Sequence, residues 1–260
     1  MRIAAYQFNV TGNTEYNASV IMKAVRNAAD QNIDLMIFPE CALTGYPPGS
    51  IPDTRTVDLS LIEEKLDELQ RLADKNDISI IVGAVAGSDK YFNRAYFISP
   101  QKPIDWYDKR ALYGWDSDNF TEGNKTGIFK LKDLTIGVRI CFELRFPEYF
   151  RELYKSGTDF NIVLFNDVSD TDDKERYQMM RSHLITRAVE NVTPVISVNA
   201  ISPYQTAPTC FIDASGKVKD ELERNIEGLL IYDIEKKELN FGEIGRKQYS
   251  DKLLGITEMG

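Results

Sequence analysis

Glu40, Lys109 and Cys141 each stand at the end of an apolar run: DLMIFPE, PIDWYDK and LTIGVRIC. A carboxylate, an ammonium and a thiol are the parts of nucleophilic acyl chemistry. A base takes the thiol proton, and a cation holds the negative oxygen of the tetrahedral intermediate. The runs themselves read as strands, and the carboxyl ends of strands in α/β sheets are where functional side chains converge. Each residue taken alone also has a plain structural reading. A free Cys is commonly a small buried hydrophobe, Glu40 suits a turn cap, and Lys109 suits a solvated charge beside Asp108. The argument rests on the three together.

The remaining composition narrows the chemistry. His183 is the only histidine in 260 residues, which excludes a His-rich metal site, and neither a metal nor any other cofactor is expected. It falls in a helical stretch beside Leu184 and Ile185 and reads as structural. Cys41, Cys141 and Cys210 are an odd number, far apart and without a CxxC pair, a pattern of reduced thiols rather than of disulfides or structural zinc. Forty Asp and Glu against 31 Lys and Arg leave a net charge of -9, so no cationic surface is offered to nucleic acid. No segment approaches the ~18 uninterrupted apolar residues of a membrane span. A soluble, cytoplasmic protein is expected, with no nucleic-acid or membrane partner.

The elements that must position these residues follow from periodicity. Strands are expected over 3–8, 34–39, 78–85, 94–98, 134–141, 161–166, 194–199, 209–213 and 228–234. Helices are expected over 14–31, 58–76, 147–156 and 174–191. In the second helix Leu59, Ile62, Leu66, Leu69 and Leu72 form one apolar stripe. Pro147 and Gly157 bracket the third in the order that helix ends favour. Strand and helix alternate with a strand-rich middle, and no linker or repeat interrupts them. The expectation is a layered α/β fold in a single domain over 1–260, with a polar arm from about Glu235.

Four blocks, FPECALTGYPP, YDKRALY, GVRICFELRFPE and TRAVENVTPVISVN, occur in an order that resembles the nitrilase, or carbon-nitrogen hydrolase, superfamily. The resemblance spans nearly the whole chain and implies an αββα sandwich with a Glu-Lys-Cys triad, carried here by Glu40, Lys109 and Cys141. On that reading Glu40 is general base and acid, while Lys109 and the backbone N–H of Phe142 hold the oxyanion. The family's second glutamate falls on Asp116 when counted back from Gly123, with Asp118 and Glu122 as neighbouring alternatives. A second departure is NAISPY after Asn199, where a Gly is usual. Tyr46 and Asn166 are candidate pocket-lining residues. The resemblance further implies a homodimer or larger homo-oligomer, with Met179, Met180, Leu184 and Ile185 available to an interface.

The reaction so implied is thiol-dependent hydrolysis of a nonpeptide C–N bond, foremost release of ammonia from a small carboxamide. Hydrolysis of a carbamoyl amine or carbamoyl amino acid is the alternative; nitrile hydrolysis is less favoured, because nitrilases proper usually have longer chains. Rival readings fit the sequence less well. SPQK, SDN and KTG occur in the order of a serine acylase, but all within 99–127 and with Pro100 and Pro103 opposing the necessary helix. A papain-like pair of Cys141 and His183 would need the sole histidine to leave its helix. A catalytically silent nitrilase-like binding module finds no support in an intact triad, and no P-loop or GxGxxG speaks for nucleotide binding.

Overall fold

Side chains alternate across a strand, and a strand covered on both sides must be apolar at odd and even positions alike. In Arg2–Gln7, Ile3 and Ala5 enter one core and Ala4 another; in Leu35–Ile37, Leu35 and Ile37 part from Met36 in the same way. Phe160–Leu164 repeats the pattern, with Phe160, Ile162 and Leu164 opposite Val163. Such strands require layers above and below.

A computed structural model supplies them and describes residues 1–236 and 238–256. One six-stranded sheet runs Gly228–Asp233, Arg2–Gln7, Leu35–Ile37, Ser79–Gly87, Tyr91–Ile98, Asp105–Asp108. The other runs Val218–Glu221, Cys210–Ile212, Val195–Val198, Phe160–Leu164, Leu134–Ile140, Ile128–Leu131. The sheets face each other across a shared core that includes Ile81, Phe97 and Tyr107 from the first and Ile136, Ile162 and Ile196 from the second. Helices α1 (Thr14–Ala29) and α2 (Leu59–Asn76) cover the outer face of the first sheet through Ile21, Val25, Ile62 and Leu69. After the short α3 (Trp115–Asn119), α4 (Pro147–Lys155) and α5 (Lys174–Asn191) cover the second through Phe150, Leu153, Met180 and Leu184. The layer order is α, β, β, α, as expected.

Helix limits follow their caps. Asp58 accepts from the N–H of Leu61 to start α2, and Asp77 at φ 54° ends it in the left-handed region. The second strand is shorter than its apolar run for a reason that matters to function. Phe38 still donates to Ile81 O, but the chain then leaves its sheet, and the Glu40 N–H donates to Phe165 O on the opposite sheet at 3.2 Å. The polar stretch after Glu235 holds a helix that periodicity missed, α6 (Phe241–Leu254). It docks on α4 and α5 largely through polar contacts, Arg151 Nη1 to Ser250 Oγ at 3.2 Å and Arg246 Nε to Val189 O at 3.2 Å, so no apolar stripe announces it. Met180 and Leu184 are core, which leaves Met179 as the exposed member of the proposed interface set. Among the described residues no helix is long and apolar enough to cross a membrane.

Candidate active site

Cys141 follows Leu134–Ile140, and Asn166 lies just past Phe160–Leu164, the adjacent parallel strand. Glu40 and Lys109 reach the same place from the first sheet, beyond Leu35–Ile37 and Asp105–Asp108. The site therefore sits where the two sheets' strand ends meet.

Glu40 is fully buried, and its carboxylate is held on both oxygens. Oε1 accepts from Lys109 Nζ at 2.9 Å and from Asn93 Nδ2 at 2.6 Å, while Oε2 accepts from the Asn166 N–H at 2.8 Å. Lys109 Nζ also donates to Asp116 Oδ2 at 2.7 Å, and Asp116 Oδ1 accepts from Tyr46 Oη at 2.7 Å. Of the three acidic alternatives, Asp116 is buried in this network while Asp118 and Glu122 are exposed. Tyr46 and Asn166, the expected pocket-lining residues, bond the two carboxylates. An ammonium has three donors, and two of Lys109's are engaged here, leaving one for another acceptor.

Burial pushes the Glu40 pKa up, the nearby Lys109 opposes this, and the Asp116 charge adds to it; the result is a raised value. Burial disfavours the Lys109 cation, but the negative charge around it, that of Glu40 foremost, outweighs it and holds the ammonium protonated. The Cys141 thiol is raised well above its ordinary value by burial and by Glu40, with Lys109 opposing. At neutral pH this leaves a neutral thiol beside an ammonium, with no preformed thiolate, so the sulfur needs a base.

Cys141 adopts φ +47°, a left-handed conformation that costs a non-glycine residue about 1–2 kcal/mol. Glu143 holds the turn in that shape. Its Oε2 accepts from the Ile140 N–H at 2.7 Å, and its Oε1 from Tyr107 Oη at 2.6 Å and the Arg110 N–H at 2.8 Å. The turn that bears the thiol is thus tied to the residue after Lys109. Phe142 is the second residue of the 3-10 turn Cys141–Arg145, early enough for its N–H to have no acceptor within the turn.

Asn93 and Glu143 also belong to the site, although neither ends an apolar run or falls at a spacing that marks it. Asn93 shares a strand face with Ala95 and Phe97, and a polar residue on an otherwise apolar face was the available signal. His183, on α5, makes no hydrogen bond to any residue of this site. Among the described residues no cluster of His, Cys, Asp and Glu forms a metal site.

Layers and site together define a nitrilase-fold protein. A mutant of the amidase from Nesterenkonia sp. AN1, described as showing covalent addition of the acetamide moiety of fluoroacetamide at its active-site cysteine, superimposes with a TM-score of 0.82. The identity is 20%, over 98% of this chain and 95% of that one. The chain belongs to the carbon-nitrogen hydrolase family, which matches residues 2–240. Among curated proteins it is 28% identical to the glutamine-dependent NAD(+) synthetase of Synechocystis sp. over 99% of this chain, and spans about half (50%) of that protein's length. It is 25% identical to an (R)-stereoselective amidase of Pseudomonas sp, over 73% of this chain and 67% of that protein.

Proposed function

We propose that this carbon-nitrogen hydrolase is an amidase that releases ammonia from a small carboxamide through a Cys141 acyl-enzyme. The observation that carries the reading is the buried Glu40 carboxylate bonded to a lysine with one donor to spare. Glu40 removes the Sγ proton as sulfur attacks the amide carbon, and the carbonyl electrons move to oxygen. That oxygen is received by the third Lys109 donor and the Phe142 N–H; losing one such donor typically costs about 100-fold or more in turnover. As the C–N bond breaks, Glu40 returns its proton to the nitrogen and ammonia leaves. Glu40 then takes a proton from water as the oxygen attacks the thioester carbon; the C–S bond breaks, the Cys141 thiolate leaves and takes that proton back from Glu40, which releases the acid and restores the free enzyme.

The raised Glu40 pKa suits both proton transfers, since a base whose pKa approaches the working pH also serves as an acid. Asp116, held by Tyr46, fixes Lys109 and keeps the charge of the site balanced. The amidase names among both the curated and the structural relatives favour a carboxamide over a carbamoyl substrate. The test is ammonia release across a panel of amides, ω-amides, carbamoyl amines and nitriles. Release from at least one carboxamide, abolished in Cys141→Ala, is the expected result. A folded wild-type protein that releases ammonia only from carbamoyl compounds, or from nothing, would overturn the reading. Self-association is proposed as well: Phe241 and Leu253 on α6 are 95% and 78% exposed, and light scattering is expected to give at least twice the 29.6 kDa chain mass.

A further inference from the structure

Three neighbouring parallel strands of the second sheet end side by side, and past their carboxyl ends stand Cys141, Asp167 and Asn199. The mechanism above uses only the first. Asp167 directly follows Asn166, whose N–H holds Glu40, so its backbone is fixed one residue from the proposed base. Asn199 clamps that backbone from both sides: its Oδ1 accepts the Asp167 N–H at 2.9 Å, and its Nδ2 donates to the Asp167 carbonyl at 2.8 Å.

The Asp167 side chain is only 6% exposed, and its two oxygens are treated very differently. Oδ1 accepts from Arg176 Nη2 at 2.8 Å, Arg176 Nε at 3.1 Å and Thr206 Oγ1 at 2.7 Å. Oδ2 is buried and has no hydrogen-bond partner among the described residues. Buried carboxylate oxygens are nearly always satisfied, so an orphan held this rigidly is a place prepared for a donor. The strand that precedes Asp167 pairs with the one that ends at Cys141, and the residue before Asp167 bonds Glu40, so the pair stands at the same end of the sheet as the site.

We infer that Asp167 Oδ2 receives a donor on the acyl chain of the substrate, and that the preferred amides carry an amino group there. This rests on the amidase reading and narrows it. A carboxylate can only accept, so a hydrocarbon chain would leave Oδ2 bare and a chain carboxylate would meet a like charge. An ammonium supplies donors and charge together. Arg176 and Thr206 crowd Oδ1 and thereby aim Oδ2.

Binding to Cys141→Ala, which cannot turn over, tests this with isosteric pairs: glycinamide against propionamide, β-alaninamide against butyramide, 4-aminobutyramide against pentanamide. In at least one pair calorimetry is expected to find the amino amide about tenfold or more tighter, and wild-type kcat/KM to follow the same ratio. Adding Asp167→Asn is expected to erase the ratio. Adding Arg176→Gln, which strips Asp167 of its counter-charge, is expected to enlarge it, and this variant decides the matter if the Asn protein does not fold. Equal binding within every pair, a ratio that survives Asp167→Asn, or one that falls in Arg176→Gln would overturn the inference. Equal binding with ammonia still released by the wild type rejects the subsite alone, whereas no ammonia from any amide rejects the amidase reading.

Discussion

Asp116→Asn preserves the shape of the side chain and deletes its charge, so it isolates what that charge does. Lys109 Nζ lies 2.9 Å from Glu40 Oε1 and 2.7 Å from Asp116 Oδ2, and the two carboxylates therefore face each other across one ammonium. Their oxygens are about 5.6 Å apart at most, where like charges repel by about 3 kcal/mol at an effective dielectric constant of about 20. After burial, that repulsion is a named contributor to the raised Glu40 pKa, against the attraction of Lys109. Deleting it is expected to lower the Glu40 pKa, because one of the charges that raises it is gone. The acid limb of kcat/KM reports the base of the free enzyme, and activity is lost as pH falls through that pKa. The limb should therefore move to lower pH in Asp116→Asn. Lys109 at the same time loses an ionic anchor, so kcat is expected to fall about 10–100-fold while KM changes by less than about threefold. The assay is ammonia release followed from pH 4 to 9, on a roughly unit grid. An acid limb that stays or moves upward, or wild-type turnover in both Asp116→Asn and Asp116→Ala, would refute the reasoning.

Other perturbations reach the site from different sides. A Cβ on Gly83 would stand 2.5 Å from Cys41 N and Pro39 O and 2.8 Å from Glu40 Cα, all backbone; Gly83→Ala is expected to displace Glu40 and cut kcat/KM about 100-fold in a protein of unchanged circular dichroism. Glu143→Gln sets an amide N–H against the donors of Ile140, Tyr107 or Arg110, and a loss of about 3 kcal/mol in denaturant unfolding is expected. His183→Ala is expected to hold turnover within about twofold, since His183 lies on α5 and bonds none of the site residues; loss of activity would restore a Cys-His mechanism.

Much of this site was visible in the sequence because polar residues at the ends of apolar runs are physically anomalous. Glu40, Lys109 and Cys141 stand out on that ground, and the sheets do bring their segments together. Asp116 came from counting along a loop, and burial singles it out over Asp118 and Glu122. Tyr46 and Asn166 were marked as pocket residues, but not the bonds they make to Asp116 and Glu40. Asn166 holds Glu40 chiefly through its main-chain N–H, a contact that every residue but proline can make, so residue type carried no trace of it. Glu143 was hidden by its location, since a charge two residues after a nucleophile reads as surface until Ile140, Tyr107 and Arg110 converge on it. The strand limits were less legible: Ile128–Leu131 and Val218–Glu221 lie outside every expected run, Tyr91–Ile98 begins three residues before its own, and at Glu40 a tertiary bond to Phe165 ends the run early. Helix α6 escaped because its packing is polar.

The central claim is a covalent acyl bond to Cys141, and the most direct measurement is peptide-resolved mass spectrometry after rapid quench with a turned-over amide, in the wild type and in Glu40→Gln. The account predicts the mass of the acyl group on the Cys141 peptide, with Cys41 and Cys210 unmodified, as befits two thiols that are fully buried. Continued ammonia release by Cys141→Ala, or an acyl group found only on another residue, would contradict it.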